Sequence, residues 1–219
     1  MTGRDWRAVA AGYDAGAAGY DARHAEGRGA ARSRAIDRVL LDAARGAARV
    51  LEIGVGTGRL LAQVDAPVRL GVDVSAAMLA QARGRGLAVI RADGHALPIA
   101  TASVDAVISG KGSLRYLEPA VALAEIARVL RPAGVLAAHL YPPATWSPRR
   151  RAAAPVPGLW QPASIAALRA TLAGAGLTLV AAHRLRAVRV WPYLVPVPAW
   201  LDGRTAAPLW SHLALVARR

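Results

Sequence analysis

The feature that most constrains the fold of this chain is a short apolar run that leads into three closely spaced glycines. The run Val50-Leu-Glu-Ile53 is followed directly by Gly54-Val-Gly-Thr-Gly58. Because glycine adopts positive φ angles and has no side chain, it allows a tight turn and the close approach of a ligand. The pattern predicts a buried strand that turns into a helix, whose first turn suits an anionic group. Dinucleotide sites use the same arrangement, and a purely structural turn is an alternative.

Five short apolar segments alternate with helical patterns through the middle of the chain. Alternating strands and helices imply parallel pairing with right-handed crossovers, so the predicted fold class is α/β, a doubly wound Rossmann-like sheet. The predicted strands are residues 49–53, 68–74, 87–91, 104–109 and 135–141, and the predicted helices are residues 60–64, 76–83 and 118–130.

The two ends of the chain complete this prediction. A helix at 164–175 and strands at 177–186 and 209–216 bring the sheet to about seven strands, mostly parallel, with an antiparallel last strand. No linker divides the chain, so we predict a single domain over residues 1–219. Its parts are an N-terminal helical arm (1–45), a cofactor-binding core (46–145) and a C-terminal substrate or lid region (146–219).

The arm contains an internal repeat, because the sequence AAGYDA occurs at residues 10–15 and again at residues 17–22. A seven-residue shift is close to two helical turns, so Tyr13 and Tyr20 would share one face of a helix. Both tyrosines are candidate substrate-binding residues. The alternative is that they only dock the arm on the core.

The net charge of +14 raises the question of a nucleic-acid partner. Lys111 is the only lysine, and arginine, alanine, glycine, proline and valine, all with GC-rich codons, dominate the composition. Genome composition therefore accounts for the charge, and the basic run Arg149–Arg151 has no aromatic residues interleaved for base stacking. Binding to nucleic acid is disfavoured, although RNA is kept as an alternative partner, either of a binding protein or of an enzyme that modifies RNA.

Several classes of protein are excluded by what the sequence lacks. Without cysteine there is no disulfide, no thiolate nucleophile and no cysteine-ligated zinc, and no metal site is predicted. No secretory signal is evident, and no run reaches the roughly 18 apolar residues of a membrane span. The expected location is the cytoplasm, and the expected state is a monomer or a homodimer.

Acidic residues follow two of the predicted strands. Asp73 closes the second strand, where an acidic residue commonly binds ribose hydroxyls, and its two oxygens suit two vicinal hydroxyls. The alternative role for Asp73 is to cap the next helix, but Ser75 already fits that position. Asp93-Gly-His95 follows the third strand. Because the carboxyl ends of parallel strands share one edge, these residues and the glycine turn predict one ligand site.

Five motifs in this order resemble those of the class I S-adenosylmethionine-dependent methyltransferases, particularly the group of ubiquinone and menaquinone biosynthesis methyltransferases. The resemblance covers roughly residues 13–140, and Ala133 stands where the family often has glycine. Glu52 and the stretch Asp93–Pro98 favour this family over the nicotinamide-dependent oxidoreductases, which are the second alternative. The motifs are residues 50–58, GVDVSAAML at 71–79, RADGHALP at 91–98, SVDAV at 103–107 and LAEIARVLRPAG at 123–134.

The resemblance implies S-adenosylmethionine as the cofactor and small molecules as methyl acceptors. Gly54, Gly56 and Gly58 would line the methionine part of the cofactor. Glu52 would orient that end near its ammonium group, and Ser109 would lie beneath it.

The resemblance also implies contacts to the nucleoside. Asp73 would hold the ribose hydroxyls, with Val74 and Met78 beside the adenine. Asp93 would accept a hydrogen bond from the adenine amino group, and the backbone of Gly94-His95 would meet the edge of the ring.

No catalytic residue follows from the motifs, because methyl transfer from a sulfonium is an in-line displacement that mainly needs alignment and a dry site. Tyr20 is a candidate for capping the methionine end, as in similar enzymes. His139 is a candidate base on the fifth strand, with a buried structural histidine as the alternative. By strand alternation Tyr141 points to the same side and is a candidate substrate residue.

The proline-studded apolar segment Val190–Trp200 bears on the acceptor. A rigid apolar loop with Trp191 would form a lid over an apolar substrate. Peripheral contact with a membrane surface and ordinary packing are the alternatives. The predicted activity is S-adenosylmethionine-dependent methyl transfer to a small apolar or aromatic acceptor.

Overall fold

The computed structural model describes residues 5–25, 28–141, 160–162, 164–186 and 210–219. Arg149–Arg151 and the segment Val190–Trp200, including Trp191, lie outside these residues. Among the described helices, none combines the length and the hydropathy that a membrane span requires.

The described strands are β1 (Arg49–Ile53), β2 (Val68–Asp73), β3 (Ala88–Arg91), β4 (Val104–Ser109), β5 (Leu130–Leu140), β6 (Thr178–Arg186) and β7 (Trp210–Arg218). They form one sheet in the order β3-β2-β1-β4-β5-β7-β6. The pairings among β1 to β5 are all parallel, whereas β7 runs antiparallel to both β5 and β6. The predicted doubly wound Rossmann-like sheet with an antiparallel last strand is therefore confirmed.

Side-chain caps mark the start of the helices that alternate with these strands. Ser75 accepts a hydrogen bond from the Met78 amide, Glu118 accepts one from the Val121 amide, and Ser164 caps the last helix in the same way. The helices are α1 (Trp6–Gly16), α2 (Tyr20–Ala25), α3 (Arg28–Ala43), α4 (Ala76–Gly84), α5 (Pro119–Val129) and α6 (Ile165–Gly174).

The sheet separates two hydrophobic layers, as strand alternation requires. Val50 of β1 packs in one cluster with Leu40 of α3 and Leu79 of α4. Its neighbour Leu51 belongs to the opposite cluster, which includes Ile126 of α5. Burial on both faces explains why the parallel strands read as nearly continuous apolar runs.

The helix predicted at residues 60–64 is wrong, because only a single turn of 3-10 helix, Leu61–Gln63, follows the glycine turn. Pro67 and the start of β2 at Val68 leave too little chain for an α-helix of ordinary length. The three glycines do adopt positive φ, with values of 70°, 52° and 82° at Gly54, Gly56 and Gly58. The turn therefore presents no α-helix N-terminus to a ligand, contrary to the prediction.

Candidate functional site

A cleft of about 1070 Å³, including its open mouth, lies at the carboxyl edge of the parallel strands, beside α1. This is the edge at which open α/β sheets bind their ligands. Most of the residues predicted from the sequence meet there. The cleft is lined by Glu52, Gly54, Gly56, Asp73, Val74, Met78, Asp93, Gly94 and His95, and by Tyr13 and Tyr20.

Two residues with predicted cofactor roles are not among the lining residues. Gly58 packs the turn against its neighbours, since a Cβ atom there would lie 2.4 Å from Leu87 Cδ1 and 3.1 Å from Ala82 Cβ. Ser109 is fully buried, and its hydroxyl donates to the Ile53 carbonyl at 3.0 Å. Their observed contacts hold the turn against α4 and β4 against β1.

His139 and Tyr141 also lie outside the lining residues. Their rings are on the same side of β5, as alternation predicts, with centroids 4.7 Å apart. His139 is buried, and its Nε2 atom lies 2.9 Å from Nδ1 of His212 on β7. The structure therefore places His139 in a cluster of rings with Tyr141 and His212.

Asp73, at the end of β2, is positioned by the backbone around it. Its Oδ2 accepts from the Gly56 amide at 2.8 Å and its Oδ1 accepts from the Ser75 amide at 2.9 Å. Burial raises the pKa of this carboxyl, and the amide bonds oppose that rise. Since each carboxylate oxygen has two lone pairs, both oxygens retain capacity to accept from a ligand hydroxyl.

Asp93 and His95 form a closed hydrogen-bonded unit after β3. Asp93 Oδ1 accepts from the His95 amide at 3.0 Å and lies 2.7 Å from His95 Nδ1. His95 Nε2 accepts from the Glu118 amide at 2.7 Å, so the ring proton belongs on Nδ1 and the ring is neutral. His95 thereby ties the loop after β3 to the start of α5, while no described residue donates to Asp93 Oδ2.

Glu52 is a carboxylate buried at the base of the cleft, with 2% of its surface exposed. Its Oε2 atom has no hydrogen-bond partner among the described residues. Burial, and next the nearby Asp37, raise the pKa of Glu52 well above its usual range. Arg59, whose charge opposes that rise, is paired with Asp37 at 2.9 Å. A buried, unpartnered acceptor of this kind is costly unless a ligand supplies a donor or a positive charge.

Two basic residues that sequence reasoning did not single out as site residues follow β4. Lys111 lines the cleft, and its Nζ donates to Ser33 Oγ on α3 at 2.6 Å. Burial, and next Arg59, lower its pKa. The Arg115 guanidinium lies over the rings of Tyr116 and Tyr141, at 4.5 and 4.8 Å from their centroids. The signal available in the sequence was the occurrence of the only lysine between two glycines.

The repeat in the arm places one tyrosine and one anchoring aspartate in each copy. The rings of Tyr13 and Tyr20 are 6.2 Å apart and both line the cleft. They do not lie on one continuous helix, because α1 ends at Gly16 and Tyr20 begins α2 after a 3-10 turn. Asp14 accepts from the Ser75 hydroxyl at 2.5 Å and from the Ala77 amide at 2.9 Å.

The second copy anchors on different elements. Asp21 accepts from the Thr57 hydroxyl at 2.8 Å, within the glycine turn, and pairs with Arg85 just after α4. The arm is thus hydrogen-bonded to the glycine turn and to the start of α4, the two segments whose backbone amides hold Asp73.

Comparison with known proteins identifies the central part of this fold. Residues 51–138 match the family model described as a methyltransferase domain. The demethylmenaquinone methyltransferase of Thermus thermophilus is 37% identical over 122 residues, which is 51% of this chain and 54% of that protein. The malonyl-[acyl-carrier protein] O-methyltransferase of Methylococcus capsulatus is 32% identical over 159 residues, 67% of this chain and 56% of that protein. The chain thus spans about half the length of these curated relatives.

Solved structures agree with this match at the level of the fold. The magnesium protoporphyrin IX methyltransferase of Synechocystis, solved with bound S-adenosylhomocysteine, superimposes with a TM-score of 0.68 at 15% identity. That alignment covers 98% of this chain and 100% of the other. Residues 51–138 therefore carry a methyltransferase domain, and the fold of the chain is that of an S-adenosylmethionine-dependent methyltransferase.

Proposed function

We propose that this protein transfers a methyl group from S-adenosylmethionine to a small apolar or aromatic acceptor. The observation that carries the proposal is the order of groups along the carboxyl edge of the sheet. Asp93, Asp73 and Glu52 lie side by side at the carboxyl ends of β3, β2 and β1, next to the open glycine turn. These are the hydrogen-bond acceptors that a nucleoside and an ammonium group need.

The residues present fit this cofactor. Asp73, which keeps a lone pair on each oxygen, would hold the ribose hydroxyls, with Val74 and Met78 beside the adenine. Asp93 would accept from the adenine amino group through Oδ2. Both carboxylates are held in place by backbone amides, so they are oriented before the cofactor binds.

Glu52 would take the ammonium of the amino-acid end, and Gly54 and Gly56 would leave room for that end. The unpartnered Oε2 atom supports this role, because a buried carboxylate is stabilised by a ligand cation. Gly58 and Ser109 would act through packing and hydrogen bonding behind the turn. Tyr20 would cap the same end from the arm.

S-adenosylmethionine, when bound, would supply a methyl group activated by a positively charged sulfur. The chain itself would align the acceptor and exclude water. Tyr13, Tyr20 and Tyr116 offer aromatic surface for a flat apolar acceptor. Such an acceptor is consistent with the name of one relative, a demethylmenaquinone methyltransferase. Since His139 does not line the cleft, Tyr20 is the better candidate for contact with the reacting groups.

Calorimetric titration of the purified protein with S-adenosylhomocysteine tests the cofactor assignment. We expect saturable one-site binding, and no binding would contradict the proposal. Preferential binding of a nicotinamide nucleotide would support the oxidoreductase alternative instead. The acceptor is then sought by incubating a small-molecule extract with deuteromethyl-labelled S-adenosylmethionine and identifying labelled products by mass spectrometry. Labelled RNA in place of small molecules would contradict the acceptor class.

A further inference from the structure

The sign of the charge changes along the edge of the sheet that carries the cleft. The strand order β3-β2-β1-β4 places Asp93, Asp73 and Glu52 in sequence on one side. The next position belongs to the loop after β4, where Lys111 lines the cleft. One half of the cleft is therefore acidic, whereas the half next to it begins with a cation.

Lys111 differs from the other cation that lines the cleft in having no carboxylate within ion-pair distance among the described residues, although Asp37 and Asp21 act on its charge from farther away. Arg59 is paired with Asp37 at 2.9 Å. Within the part of the chain that the structure describes, no carboxylate oxygen lies within 4.0 Å of Lys111 Nζ. A half-buried ammonium bonded to one hydroxyl retains two donors, so it can bind an anionic oxygen of a ligand.

The backbone conformation of Lys111 supports a functional rather than a structural role for this residue. Its φ angle is +53°, in the left-handed region that glycine adopts without strain, and its neighbour Gly112 has a φ of +69°. Residues held in such conformations concentrate at binding and catalytic sites. All the remaining Lys and Arg positions of the chain are arginine, so the lysine at this position departs from the general composition. A compact ammonium suits a narrow site better than the larger guanidinium fork.

We propose that Lys111 binds a carboxylate carried by the methyl acceptor, so that the acceptor class is small aromatic carboxylates. This inference rests on the proposed function. If Asp93 and Asp73 take the nucleoside and Glu52 takes the amino-acid end, the positions after β4 are left for the acceptor. Tyr13, Tyr20 and Tyr116 line the same cleft and supply the aromatic surface.

The test uses two probes of nearly the same shape, the anion 1-hydroxy-2-naphthoate and its neutral amide, 1-hydroxy-2-naphthamide, in which an NH2 donor replaces one carboxylate oxygen. Each is titrated by calorimetry into protein saturated with S-adenosylhomocysteine. We expect the wild-type protein to prefer the carboxylate by about tenfold, the size of one charge-assisted hydrogen bond. Lys111→Met should abolish the preference, and Lys111→Arg should retain part of it. Arg45→Met, which removes an exposed cation paired with Asp42, is the matched control and should leave the preference unchanged.

Several results would overturn the inference. These are equal or absent binding of the two probes by the wild-type protein, a preference that survives in Lys111→Met, and a loss of S-adenosylhomocysteine affinity in that variant. The last result would assign Lys111 to the cofactor. Failure of the wild-type protein to bind S-adenosylhomocysteine would contradict the proposed function instead, and it is measured first. Thermal unfolding of each variant, followed by circular dichroism, establishes that it is folded.

Discussion

The two halves of the cleft are built in different ways. On the side of β1, β2 and β3, the carboxylates lie at the carboxyl ends of the strands, and local backbone amides orient Asp73 and Asp93. On the side of β4, Tyr13 and Tyr20 come from the arm, and Lys111 is hydrogen-bonded to α3. The first half is a local property of strand ends, and the second depends on tertiary docking. A fold can therefore keep one half while the other changes with the acceptor.

The largest effect is expected where the two halves meet, at Gly54. A Cβ atom there would lie 2.3 Å from Ser113 Cβ in the loop after β4, and the φ angle is +70°. Backbone strain and overpacking together predict that Gly54→Ala lowers the free energy of unfolding by about 3 kcal/mol. Gly56→Ala is the control, since no atom of the described residues lies within 4 Å of its Cβ position, and should cost about 1 kcal/mol. Urea unfolding measures the free energy of unfolding of both variants. Equal losses would show that the close contact between Gly54 and Ser113 does not restrict the side chain at residue 54.

Asp73→Asn should weaken ligand binding in the acidic half of the cleft and leave the other half unchanged. Asparagine keeps the shape but places an amide nitrogen toward either the Gly56 or the Ser75 amide, so the turn and the ligand contacts both suffer. We expect S-adenosylhomocysteine to bind about 100-fold more weakly, the size of one strong charge-assisted bond.

The matched control for that variant is Asp105→Asn at the opposite edge of the sheet. Asp105 Oδ2 accepts from the Ala48 and Arg49 amides at 3.1 and 2.8 Å. This change should lower stability while leaving cofactor affinity within about twofold, since it removes backbone bonds distant from the cleft. A comparable loss of affinity in both variants would mean that Asp73 acts through folding rather than through contact.

Glu52→Gln should separate stability from binding within the acidic half. We expect about tenfold weaker binding of S-adenosylhomocysteine, because a charge-assisted bond becomes a neutral one, together with a higher melting temperature. Burial raises the folded-state pKa of Glu52 above its ordinary value, so the folded protein favours the protonated form. The wild-type protein loses stability as the pH rises through that raised pKa, whereas the variant does not. The difference in melting temperature should therefore widen from pH 4 to pH 8, and a constant difference would contradict the burial of a charged Glu52.

The smallest effect is expected for Tyr13→Phe, which removes one hydroxyl from the β4 half. The Tyr13 hydroxyl lies 3.2 Å from that of Tyr116, and burial raises the pKa of Tyr13, so the group stays neutral at physiological pH. We expect the KM for the acceptor to rise about threefold, consistent with one neutral hydrogen bond. S-adenosylhomocysteine affinity should not change. A drop in cofactor affinity would place Tyr13 in the other half of the cleft.

The sequence predicted the acidic half better than the rest of the site. Asp73 and Asp93 were recognisable because residues that close parallel strands meet at one edge, whatever the loops do. Lys111 was not, because its position depends on how the loop after β4 meets α3. The helix expected at residues 60–64 failed for a related reason, since apolar spacing does not distinguish a full helix from a single 3-10 turn. Tyr13 and Tyr20 could be predicted because the repeat places them seven residues apart, close to two helical turns.

The attachment of Asp21 to Thr57 has a thermodynamic consequence. Thr57 belongs to the glycine turn, so the arm and the turn share a hydrogen bond and their ordering is linked. Linkage is reciprocal, so a ligand that immobilises the turn also strengthens the attachment of the arm by the same free energy. Because the arm also supplies two tyrosines to the cleft, binding of a ligand at the turn should be coupled to the placement of Tyr13 and Tyr20.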